Sequence, residues 1–200
     1  MKALLPAALL AAFAAGCGGE RTPDAVEPAA PAQSTPAPAT PAPRPAASSP
    51  DDADDQASLD GYGDLKFGIA ADAMEPAWGG ELKEIGKDAN PDCYFMTPAW
   101  VEVPAELSFM VGEGRFVRYG STSSTLAAPG GGKVGMDAGE LQALYGNALQ
   151  ASPHKYVEGG HYLSTGGASG KLVFETDADG VVTEWRVGVP PQIDYVEGCS

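Results

Sequence analysis

From residue 57 onward, apolar and polar positions alternate in short runs broken by glycine, which predicts strands joined as hairpins. Leu107 to Val111 turns through Gly112, Glu113 and Gly114 into Arg115 to Tyr119. Lys171 to Glu175 turns through Asp177 to Gly180 into Val181 to Arg186. A period of two sorts these residues onto two faces. Leu107, Phe109, Tyr119, Leu172, Phe174 and Trp185 share one parity and are expected to pack on helices. Ser108, Met110, Phe116, Arg118, Val173, Glu175, Val182, Glu184 and Arg186 take the other. This second face is expected to stand open, since an antiparallel sheet can leave one side to water. Its Phe, Met and Arg suit a protein-binding surface. Helical periodicity predicts one short helix, about 138–145, with Asp137 as N-cap and Glu140 completing a capping box. Leu141, Leu144 and Tyr145 would form its apolar stripe.

The chain also repeats itself. Phe67 to Leu82 aligns without gaps to Val134 to Leu149, with Gly68, Ala71, Gly79 and Leu82 recurring as Gly135, Ala138, Gly146 and Leu149. In the first copy Pro76 falls where a helix wants a backbone donor, so that helix is expected to bend or start late. The Gly–apolar…Leu…Gly pattern carried by Val134, Gly135, Met136, Leu141, Leu144 and Gly146 is similar to outer-membrane assembly lipoproteins of the SmpA/OmlA type. Phe67, Gly68, Ile69, Met74 and Gly79 carry it in the first copy, and two such units in tandem resemble the β-lactamase-inhibitory-protein fold. The resemblance implies an α+β fold: two tandem helix–strand repeats, about 62–120 and 129–187, form a curved antiparallel sheet with short helices on one face. It also implies a non-enzymatic, protein-binding role. A looser resemblance to proteobacterial lipoproteins called lectins implies glycan binding, for which Trp100, Tyr162 and Tyr195 are the candidate residues.

The N-terminus reads as an address. One Lys, an apolar run from Ala3 to Ala15, then Gly16 and Cys17 form an export signal too short to span a bilayer. Ala14-Ala15-Gly16-Cys17 resembles the lipobox of bacterial lipoproteins, although Ala14 stands where Leu is usual. The resemblance implies a signal peptide over 1–17, acyl chains including palmitate on Cys17, and the outer membrane of a Gram-negative cell. The other reading is an ordinary signal with a chance Cys. Residues 18–56 hold nine prolines between Pro23 and Pro50 and bury too little to fold. They are expected to be a disordered tether reaching on the order of 120 Å when extended. The folded part is then 57–200, with a C-terminal tail over 188–200.

Composition narrows the function. With 27 Asp+Glu against 12 Lys+Arg the net charge is −15, which argues against nucleic acid. Two His and three Cys argue against a zinc site, and no cofactor or metal is expected. If Cys17 is lipidated, Cys93 and Cys199 remain, and in an oxidising compartment they are expected to pair. Gly130 to Lys133 lacks phosphate-loop spacing, and Asp177 to Gly180 is a hairpin turn more readily than a calcium loop. The reading is a lipid-anchored envelope module that binds an envelope protein through the open face. A carbohydrate-binding lipoprotein is the alternative, and a carboxylate-based hydrolase is more remote because no pair of acids stands out.

Overall fold

The computed structural model describes residues 56–167 and 169–199. The signal, Cys17 and all but the last residue of the tether lie outside them. The structure overturns the expected helix–strand repeat fold. Strands dominate: an eight-stranded antiparallel sheet runs β4-β5-β6-β7-β11-β10-β9-β8, beside a three-stranded sheet β1-β2-β3. The large sheet comprises β4 (Leu82–Ile85), β5 (Cys93–Pro98), β6 (Ser108–Gly112), β7 (Arg115–Ser121), β8 (Gln150–Pro153), β9 (His161–Gly167), β10 (Gly170–Thr176) and β11 (Val182–Gly188). The small sheet comprises β1 (Ala57–Ser58), β2 (Gly61–Tyr62) and β3 (Leu65–Lys66). Among the described residues, helix is confined to α1 (Met74–Trp78), α2 (Ala138–Tyr145) and short 3-10 turns. The physical reason is that α1 has five residues and contains Pro76, so it cannot form a layer. The eight-residue α2 is held at its start by the capping box: Asp137 accepts from Gly139 and Glu140, and Glu140 accepts from the Asp137 backbone.

The core lies on one face of the large sheet. Phe109, Tyr119, Leu172, Phe174, Trp185 and Val187 are buried there with Tyr62 and Leu65 from the small sheet, Met74 from α1 and Leu141 from α2. Aromatic edges knit it: Tyr119 meets Trp185 at 5.8 Å and 87°, and Phe109 meets Phe116 at 5.8 Å and 88°. Each such side chain contributes roughly 1.5–3 kcal/mol on burial.

Two β-bulges alter the parity inferred from sequence. Opposite β6, Met110 pairs with Arg118 while Val111 pairs with Phe116, so Val117 is an extra residue. Opposite β10, Glu175 pairs with Glu184 while Thr176 pairs with Val182, so Thr183 is the extra one. Each bulge turns the residue before it inward. Phe116 and Val182 therefore belong to the core and not to the second face.

Candidate functional site

The second face is not open. Register places Arg118 opposite Gly188, and Gly120 opposite Arg186, where β7 and β11 join the two halves of the sheet. Glycine is required at both places. A Cβ on Gly120 would stand 2.8 Å from the Trp185 carbonyl oxygen and 3.1 Å from Arg186 Cβ, and one on Gly188 would stand 2.9 Å from Arg118 Cβ. The two arginines thus lie across a sheet that has been thinned beside them, and the C-terminal tail settles over them. Arg118 Nη1 donates to the carbonyls of Tyr195, at 2.7 Å, and Gln192, at 3.5 Å. Arg186 Nε donates to the Ile193 carbonyl at 3.2 Å, and Ile193 is fully buried.

The tail is also pinned at its margins. Cys93 and Cys199 form a disulfide across a sequence separation of 106. Lys171 pairs with Asp194 at 2.7 Å, Lys155 pairs with Glu197 at 3.0 Å, and the Tyr156 hydroxyl donates to Glu197. A disulfide is compatible with an exported protein. No helix among the described residues is long and apolar enough to cross a membrane.

Of the nine residues assigned to the second face, Phe116 and Val182 are in the core. Met110, Arg118, Val173 and Arg186 are buried, and Ser108, Glu175 and Glu184 are half-buried. Under the tail the charged groups form a network the sequence did not suggest. Glu175 takes Arg186 Nη1 on Oε1 and lies 2.9 Å from His154 Nε2 on Oε2. His154 Nδ1 accepts from the backbone of Tyr156 at 3.0 Å and Val157 at 3.1 Å, which puts the ring proton on Nε2, donating to Glu175. Tyr162 stacks on His154 at 4.5 Å, and Arg186 lies 5.8 Å from the Tyr162 ring.

Burial alone would raise the Glu175 carboxyl, but Arg186 and His154 outweigh it and hold it below the usual carboxylate value. Glu184 is pushed up, chiefly by burial. Arg118 is pushed down to about 10 by burial and by Arg186. His154 has both ring nitrogens engaged, and through Glu175 it is linked to Arg186, which in turn holds the tail at Ile193.

One part of the face stays uncovered. A cleft of about 260 Å³ crosses the sheet from the β4 edge to β11. Its walls are Ile85, Phe95, Pro104 and Ala105, and its floor includes Ser108 and Gly120. Arg118 and Glu184 stand in the same cleft. The loop leading to Pro104 exposes Val103 and leaves Trp100 57% exposed. The glycan candidates belong to three different elements: Trp100 lies in that loop, Tyr162 lies in β9 and stacks on His154, and Tyr195 lies in the tail. A second cleft holds Asp72, Glu75 and Glu84. There Glu75 accepts from the Leu82 backbone, and Glu84 pairs with Lys87. Among the described residues no three His, Cys, Asp or Glu side chains are placed to hold a metal ion.

No family model matches the chain. No curated protein matches it either. Among solved structures it is similar to an extracellular protein containing a SCP domain from Bacillus anthracis str. Ames, at 10% identity and a TM-score of 0.39, over 62% of this chain and 44% of that one. It is also similar to the uncharacterized protein yfeY from Escherichia coli, at 17% identity and 0.40, over 67% and 99%. The DUF4309 family protein YjgB from Bacillus subtilis subsp. subtilis str. 168 matches at 7% identity and 0.44, over 70% and 92%. None of the three carries an assembly-lipoprotein description.

Proposed function

We propose that the chain is a non-enzymatic binding module of the cell envelope, held to the outer membrane by acyl chains on Cys17 and engaging an envelope protein through the uncovered strip of its sheet face. The observation that carries this reading is the cleft on the sheet face beside the 3-10 turn Pro104–Glu106. Ile85, Phe95, Pro104 and Ala105 line it, and the loop that leads to Pro104 exposes Trp100 and Val103. A partner's apolar side chain in that cleft, with Trp100 packed at its side, is the arrangement of an interface hot spot. The lipobox-like Ala14 to Cys17 and the disulfide support export and anchoring.

The test is capture from detergent-solubilised envelope, comparing wild type with Ala105→Trp, which fills the cleft from the exposed 3-10 turn, and with Leu144→Ser on exposed α2 as a control. The reading expects a protein held by wild type and by the control and lost with Ala105→Trp. Capture indifferent to Ala105→Trp, or no capture, contradicts it. Cys17→Ala is expected to move the protein from the membrane to the soluble fraction.

A further inference from the structure

We infer that the group the cleft receives is the C-terminal residue of the partner chain: an apolar side chain with a free carboxylate and its own backbone N–H. This rests on the protein-binding reading above. Three features of one cleft make the case together.

The first is a cation with donors to spare. Arg118 is only 8% exposed and forms no ion pair within 4.0 Å among the described residues. It uses Nη1 on the tail carbonyls. Arg118 lines the cleft, and its Nε and Nη2 are left uncommitted by the tail, which takes only Nη1. The Nε and Nη2 donors form one edge of the guanidinium, which matches a carboxylate in planar geometry. Burial and the neighbouring Arg186 weigh against its charge, Glu184 and Glu175 favour it, and an incoming anion would offset the repulsion from Arg186.

The second is an acceptor in the same cleft. Glu184 stands there, at 3.6 Å from Arg186, with Glu175 opposite it on β10. A ligand bearing a carboxylate alone, such as a fatty acid, meets repulsion from Glu184. A C-terminal residue carries a donor one bond from its carboxylate-bearing carbon, so it answers Arg118 and Glu184 together. The third is size. About 260 Å³ lies just under the roughly 300–1,000 Å³ of small-molecule pockets, which suits one side chain with its carboxylate. The exposed Val103 and Trp100 in the adjoining loop offer apolar surface for the residues before the terminus.

The experiment uses the full oxidised chain and the labelled peptide Ser-Gly-Ala-Phe as free acid and as C-terminal amide, read by fluorescence anisotropy, with octanoate and free phenylalanine as competitors. The free acid is expected to bind at least tenfold more tightly than the amide. Ala105→Trp should abolish binding with Arg118 intact, and Arg118→Gln should erase the acid–amide difference. Circular dichroism checks that both variants stay folded. Acid and amide binding alike, both lost in Ala105→Trp, would overturn this inference and leave the protein-binding reading standing. Octanoate or phenylalanine competing as strongly as the free-acid peptide would assign the cleft to a small molecule and overturn it. No binding of either peptide to wild type would overturn it too, while capture from the envelope decides the wider reading separately.

Discussion

The two faces of the large sheet are closed by different physics. On one, Phe109, Phe116, Tyr119, Phe174 and Trp185 bury apolar area against the small sheet and two short helices. On the other, Arg118 and Arg186, linked to Glu175 and His154, are closed by a tail that supplies carbonyls, one buried Ile and a disulfide. Area burial is non-directional and indifferent to acid. A charge network depends on every partner being present and on the protonation state of its acids. The first face therefore stabilises the sheet whatever the pH. The second sets whether the tail stays down, and so how much of the face a partner can reach.

The largest expected effect breaks the second face. Cys93→Ser removes a crosslink spanning 106 residues and should cost about 4–5 kcal/mol in the chain-entropy account, read by urea unfolding of oxidised samples. Trp185→Ala attacks the first face and should cost about 3–5 kcal/mol in the same assay, with no change in its acid sensitivity. Arg186→Met should cost about 2–3 kcal/mol, because Glu175 loses its charged donor beside a buried strand. Adding Glu175→Gln should recover part of that loss, and a double-mutant cycle reads the coupling.

Acid separates the faces further. The folded-state value of Glu175 is depressed, so its contribution is present above the ordinary carboxylate value and is lost as pH falls through the folded one. Glu184 is raised, so its ionised form burdens the fold until pH falls toward its folded value. Glu175→Gln should flatten the acid limb of stability, whereas Glu184→Gln should raise the neutral-pH midpoint. The smallest effect is Asp137→Ala at the N-terminus of α2, about 1 kcal/mol, which touches neither face's distinctive chemistry.

Much of this architecture was legible, and the missing parts share a cause. The β6–β7 and β10–β11 hairpins follow from alternation and turn residues, and α2 follows from Asp137 and Glu140, since all of these are local signals. The fold class was misjudged because the repeat gave its helices equal weight with its strands, although Pro76 limits α1 to a single turn or so. Phe116 and Val182 went to the wrong face because counting by twos cannot register an extra residue such as Val117 or Thr183. The His154–Glu175 pair joins positions 21 residues apart, through a contact that only the sheet order creates. The tail over the face was hinted at by Cys199 alone. Nothing in Ile193, between Gln192 and Asp194, announces a fully buried side chain. The cleft gathers Ile85, Phe95, Ala105 and Glu184 from four separate stretches of chain, which tertiary packing alone brings together.

The most direct test of the account is whether the tail is what closes the second face. Met110 lies opposite Arg118 on that face and is fully buried, whereas Met136 before α2 is only half-buried. Peptide mapping after brief hydrogen peroxide treatment reads the oxidation of each. The account predicts slow oxidation of Met110 in the intact chain and rapid oxidation in a chain ending at Gly188, with Met136 unchanged between them. Met110 oxidising as fast as Met136 in the intact chain, or staying protected once the tail is gone from a folded sheet, would contradict it.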